Sequence, residues 1–155
     1  MSPAALAWIH RAAVLVHLAG VVVWMGAVAY YLLVLRPAMR IAGLARPERY
    51  ALLVAVKGRL PRVVGAALAA IIASGLVMAQ LRGLLPGGGA SLFARRVFAA
   101  KMAVVGVLVL IFLFALPLLR RVREPARRGR LFNLTHVVVL VLGALAAAGG
   151  VLLGR

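Results

Sequence analysis

Apolar residues in this chain neither alternate nor recur as narrow stripes. They come in four long runs, over residues 6–35, 63–81, 97–119 and 131–153. A helix rises about 1.5 Å per residue, so about 20 apolar residues cross the hydrocarbon core of a bilayer. Each run reaches or nearly reaches that length. The first exceeds it, which predicts a helix that tilts or projects past the bilayer. Lipid offers the backbone no hydrogen-bond partners, so a run of this kind must close its own bonds as a helix. The pattern predicts an all-α integral membrane protein, an antiparallel four-helix bundle forming a single domain over residues 1–155. Its helices lie at about 6–35, 63–81, 97–119 and 131–153.

The polar segments between the runs refine this picture. "RPAMRIAGLARPERYALLVAVKGRLPR", residues 36–62, carries seven basic residues. Its stretch from Pro47 to Leu60 is amphipathic and predicts an interfacial helix lying on the membrane surface. Pro61 then suits the first turn of the second spanning helix. "RGLLPGGGASLFARR", residues 82–96, is a glycine-rich turn with three arginines. "RRVREPARRGR", residues 120–130, holds six arginines and one glutamate. The segments 36–62 and 120–130 together contain thirteen of the nineteen Lys and Arg. The positive-inside rule places them in the cytoplasm and both termini outside, an N-out/C-out topology. The second and fourth runs contain "GAALAAIIASG" and "GALAAAGG", small residues that let helix backbones approach closely in lipid. No internal repeat is evident.

Composition supports the same class. Hydrophobic residues make up 66% of the chain, and only Glu48 and Glu124 are acidic. So little polar surface cannot cover a water-soluble domain. The net charge of +17 clusters between apolar runs, as in membrane-protein loops, so no nucleic-acid partner is inferred. There is no cysteine, which removes disulfides, thiolate metal sites and thiol chemistry. The first run is too long for a signal-peptide core and lacks a basic lead, so no cleavable leader is expected.

The chemistry available inside the membrane is sparse. His17, Tyr30, Tyr31, Ser74, Gln80, Lys101, Asn133, Thr135 and His136 are its polar members, and His10 sits near the outer interface. Both glutamates fall in predicted cytoplasmic loops, which argues against a carboxylate-driven pump or antiporter. His10, His17, Trp24 and Tyr31 recur every seven residues and so share one helix face. Taking the rise per residue from assumed midplane positions puts His17 roughly 8 Å outward, and Met78, Lys101 and Met102 at about 9–10 Å outward. Imidazole and thioether suit soft Cu(I), so His17, Met78 and Met102, with His10 two turns above, form a candidate copper layer. The bland alternative is that the methionines are core filler. His10 then serves as an interfacial polar residue and Trp24 as packing. The charge of Lys101 opposes a cation unless the amine reaches outward or is neutral.

Haem b is the rival use of the imidazoles. His136 lies about 9 Å inward, roughly 17 Å from His17 in depth, too far for the two to clamp one iron. A single-histidine haem on His17, with His10 and Trp24 beside it and Lys101 meeting a propionate, stays open. Asn133, Thr135 and His136 also suit a capping or interface role. "NLT" at 133–135 has the spacing of a glycosylation acceptor but opens a helix on the predicted inner side.

The stretch "HLAGVVVWMGAVAYYLLVLRPAMR" resembles the first-helix signature of the copper-resistance protein D (CopD-like) family. The matching positions are His17, Leu18, Trp24, Gly26 and Pro37. The third run, opening at Lys101 and ending in "LPLLRR", and the arginine-rich lead into the last run also resemble that family. The first-helix pattern is shared more loosely with the HemJ-like protoporphyrinogen oxidases. The first resemblance implies copper handling or transport in a bacterial cytoplasmic (inner) membrane, with a periplasmic copper protein or a larger membrane complex as partner. The second implies a haem-associated redox enzyme or small b-type cytochrome. A cofactor-free accessory subunit is the third reading, and self-association into a homo-oligomer stays open. The copper and accessory readings are not enzymes; the HemJ-like one is.

Overall fold

The computed structural model describes residues 1–43, 46–115, 118, 121, 122 and 124–154. Among the described residues every regular element is helical. Helix α1 spans Pro3–Tyr30 and continues through a π-helical turn, Tyr31–Leu35, into α2, Arg36–Ile41. Helix α3 spans Arg46–Leu81, and α4 spans Leu92–Leu110, followed by a second π-helical turn, Ile111–Ala115. Helix α5 spans Pro125–Gly154. Four stretches are long and apolar enough to cross a membrane: Pro3–Met39, Arg59–Leu81, Leu92–Ala115 and Gly129–Val151. The four expected runs are therefore the four spans. The tail of the third run, at residues 116, 117 and 119, lies outside the described residues.

Local chemistry sets the helix ends. Ser2 Oγ accepts the Ala5 N–H at 3.2 Å, and Pro3 fills the first helical position, where no amide hydrogen is needed. Ser91 caps α4 in the same way, accepting from Ala94 N at 3.2 Å. At the end of α3, Gly83 takes φ +64°. Its N–H bonds Gln80 O, and Leu84 N bonds Ala79 O at 2.9 Å. This is a Schellman closure, and buried Leu84 supplies the apolar contact that accompanies it.

Two elements differ from the sequence expectation. A separate interfacial helix over 47–60 does not form, and Pro61 does not open the second spanning helix. One helix runs unbroken through Pro61. Proline there costs a hydrogen bond and crowds the carbonyl four residues back. A break at the edge of a bilayer would expose several backbone groups that find few partners there, so the helix persists even with Gly58 and Gly65 nearby in the sequence. The π-helical turns are the second difference. Arg36 N–H bonds Tyr31 O, five residues back. The widened turn sits just ahead of Pro37, whose ring displaces the ordinary bond. The second π-helical turn likewise ends two residues before Pro117 in the sequence.

The helices group into two compact units, Met1–Gly88 and Gly89–Arg155. In the first, α1 packs along α3. Ala13, Gly20, Trp24 and Val28 are buried on α1, and Val64, Ala67, Leu68, Ile71, Ser74 and Ala79 on α3. The spacing of three and four residues is that of two meshed helix faces. The two helices approach closely at Gly20. A Cβ there would lie 2.7 Å from Ile71 Cγ1 and 3.1 Å from the Ala67 carbonyl oxygen. In the second unit α4 packs on α5, with Leu108 the most buried apolar side chain of α4. Large apolar side chains elsewhere point outward, including Leu15, Val22, Leu33, Leu134 and Leu145. An apolar exterior on this scale matches lipid as the surrounding solvent.

Candidate functional site

His17 lies in the middle of α1, three residues before Gly20, where α3 packs close against α1. Its Nδ1 is 2.9 Å from the Ile71 carbonyl oxygen and 3.2 Å from Ser74 Oγ, both on α3. A carbonyl oxygen only accepts, so Nδ1 carries the hydrogen and donates. Ser74 in turn donates its hydroxyl hydrogen to the Ala70 carbonyl at 2.6 Å, which leaves its oxygen lone pairs toward the imidazole. Ser74 is 6% exposed, so this network is sheltered from water. The ring also rests on Gly75, where a Cβ would stand 3.4 Å from Cε1. These contacts fix the ring's plane and its tautomer. With the hydrogen on Nδ1, Nε2 is the nitrogen that a neutral imidazole at this position presents to a metal or a haem iron.

The other candidates fall around this centre as follows. Met78 is half-buried and lies four residues beyond Ser74, on the α3 stripe formed by Ile71 and Ser74. His10 is half-buried, two turns before His17 on α1. Trp24 is buried, two turns after it. Along α1 from His17 to Gly20, the contacted positions on α3 retreat from Gly75 and Ser74 to Ile71 and Ala67. Met102 and Lys101 belong to α4 in the second unit and are half-buried there. Among the described residues no group of three His, Cys, Asp or Glu side chains is placed to hold a metal.

Lys101 follows the surface of α5. Its Cβ lies 3.9 Å from where a Cβ on Gly149 would stand, and its Nζ 3.2 Å from the equivalent point on Gly150. The paired glycines provide the groove in which the lysine runs. Toward the other end of α5, His136 Nδ1 donates to the Phe132 carbonyl at 2.8 Å, and its ring stacks at a tilt on Phe132, centroids 4.3 Å apart. Thr135 Oγ1 donates to the Leu131 carbonyl at 2.9 Å. In His17 and His136 alike, Nδ1 is the nitrogen that donates to a backbone carbonyl. His136 takes its partner from its own helix, whereas His17 takes two from a neighbour.

Sequence reasoning missed Ser74, Gly75 and the Ile71 carbonyl as the surroundings of His17. The available signal was Ser74 itself, the one hydroxyl within "AAIIASG". It missed Gly149 and Gly150 as the bed of Lys101 for a related reason. Small residues that read as helix-association surface also make room for a polar side chain. No protein-family model, curated protein or solved structure matches this chain.

Proposed function

We propose that the chain is a membrane-spanning copper-handling protein that takes the metal as Cu(I), with His17 Nε2 as its central ligand. The observation that carries this reading is the hydrogen bonding of His17 Nδ1 by Ile71 and Ser74. A metal-binding histidine characteristically donates its other ring N–H to a carbonyl or hydroxyl oxygen. The contacts of Gly20 and His17 read as an antiparallel α1–α3 pair. In that register Met78 falls at the level of Ala13, between His17 and His10. One thioether and two imidazoles then line one side of a helix pair, and a soft ion of low coordination number suits such a set. The resemblance of the first helix to CopD-like proteins supports the same reading. Trp24, two turns beyond His17 on α1, walls the layer below; Met102 belongs to the second unit and is left out of the ligand set. Lys101, bedded on Gly149 and Gly150, serves the second unit's packing in this scheme. The basic segments lie in the cytoplasm of a bacterium, both termini face the periplasm, and copper passes to or from a periplasmic copper protein.

The test is Cu(I) affinity of the detergent-purified chain under reducing conditions, read by competition with a chromophoric chelator. His17→Ala should weaken binding at least tenfold, since it removes the central ligand. Ser74→Ala leaves every ligand in place and loosens only the imidazole's support, so a loss of about tenfold is expected. Unchanged affinity in His17→Ala refutes the site. A Soret band in the purified protein, lost in the same variant, assigns His17 to haem instead.

A further inference from the structure

Two arginine pairs stand outside the chemistry of His17. Arg59 and Arg62 are both exposed on α3, at the point where its membrane span begins. Arg127 and Arg130 are both exposed on α5, where the span Gly129–Val151 begins. Each pair has the spacing i, i+3, which puts its members side by side on one helix face. Beside each pair the surface is apolar and exposed, with Val63, four residues after Arg59, at 49% on α3 and Leu134, four residues after Arg130, at 60% on α5. Each unit thus presents the same sequence of surfaces, two guanidiniums and then a strip that suits hydrocarbon.

The opposite ends of the spans carry their basic residues differently. Arg95 and Arg96 are adjacent in sequence and so do not share a face. Arg11 lies over the ring of Trp8, 5.6 Å from its centroid. The chain holds only two acidic side chains against nineteen Lys and Arg. Most guanidiniums must therefore find their counter-charge outside the protein. A pair of forked guanidiniums one turn apart matches the oxygens of a phosphodiester, which each arginine engages with two N–H donors.

We infer that Arg59/Arg62 and Arg127/Arg130 are two clamps for the phosphate of an anionic phospholipid, one in each unit. The acyl chains lie on the apolar strip beside each pair. Position favours a lipid over a soluble anion, because both pairs sit at the level where a span meets the headgroups. The inference is independent of metal chemistry at His17.

Native mass spectrometry of the full chain in detergent tests it, with phosphatidylglycerol and phosphatidylcholine of identical acyl chains as probes. Phosphatidylglycerol should bind at least tenfold tighter than phosphatidylcholine. Arg59→Gln/Arg62→Gln and Arg127→Gln/Arg130→Gln should each weaken one bound lipid by roughly fivefold per arginine removed. Arg95→Gln/Arg96→Gln should leave binding unchanged. Arg→Lys versions of the two pairs preserve charge and topology but lose the fork, so a smaller loss is expected. These carry the test if the Gln variants fail to fold. Equal binding of the two lipids, equal losses in the Arg95/Arg96 variant, or full binding by both Lys pairs overturns the proposal. Displacement of phosphatidylglycerol by millimolar inorganic phosphate also overturns it, naming free phosphate as the ligand.

Discussion

Gly20 and Gly26 lie on the same helix, and they should respond in opposite ways to the same added methyl group. At Gly20 the new Cβ would meet Ile71 Cγ1 at 2.7 Å and the Ala67 carbonyl oxygen at 3.1 Å. Carbon atoms prefer about 3.5–4.0 Å, so the first contact is short by roughly 1 Å. Cγ1 is attached directly to the Ile71 Cβ and cannot swing away as a chain end does. The Ala67 oxygen moves only with α3 itself. Overpacking of this kind costs about 1–3 kcal/mol, while replacing a mid-helix glycine by alanine returns about 1 kcal/mol. Gly20→Ala should therefore destabilise by a net ~0–2 kcal/mol, and Gly20→Leu by more. Gly26 has nothing within 4 Å of its Cβ position. Gly26→Ala should be neutral or stabilising by up to about 1 kcal/mol. Reversible unfolding in mixed dodecyl maltoside and dodecyl sulfate, followed by circular dichroism, measures both. Ile71→Ala placed in the Gly20→Ala background should recover about 1 kcal/mol relative to additivity. A Gly20→Leu protein as stable as the parent would refute the close approach of α1 and α3. So would equal effects of alanine at the two glycines.

Pro61→Ala restores an N–H and removes the ring clash inside α3. It should raise stability by about 1–3 kcal/mol in the same unfolding assay, and a loss would show that the proline ring itself makes packing contacts that outweigh the missing hydrogen bond. Gly150→Leu should displace the Lys101 amine from its groove and cost about 1–3 kcal/mol, with most of the loss recovered in Gly150→Leu/Lys101→Ala. No recovery in the double variant would show that the leucine clashes with something other than the lysine.

The existence of four spans was legible because it depends only on sustained apolar length, which the solvent enforces whatever the partners are. The start of α4 was misplaced by five residues. Ser91 acts as its cap, and the basic pair Arg95–Arg96 inside its first turns interrupts the apolar run without interrupting the helix. Pro61 misled for a similar reason: proline marks a break in water, where freed backbone groups find new partners, but not at the edge of a bilayer. The π-helical turns had a visible cue in the prolines of "LVLRP" and "LFALP". That cue is weak, since proline is met as readily by a kink or a break. His17 stood out as a spanning histidine on its own helix, but its hydrogen-bond partners come from α3, 54 and 57 residues away. No local pattern encodes such a pairing. It follows from which small residue lets which backbone approach.

The junction at Gly88–Gly89 also sets an order in time. Gly87 takes φ +84°, and a Cβ on Gly88 would collide with the Gly83 carbonyl, so this turn closes only with glycine. Ile71, Ser74 and Gly75, which hold the His17 ring, all lie before it. A ribosome working at about 5–20 residues per second needs several seconds to deliver the second unit. Where α1 docks on α3 within that interval, His17 meets Ile71 and Ser74 while α5 is still unmade.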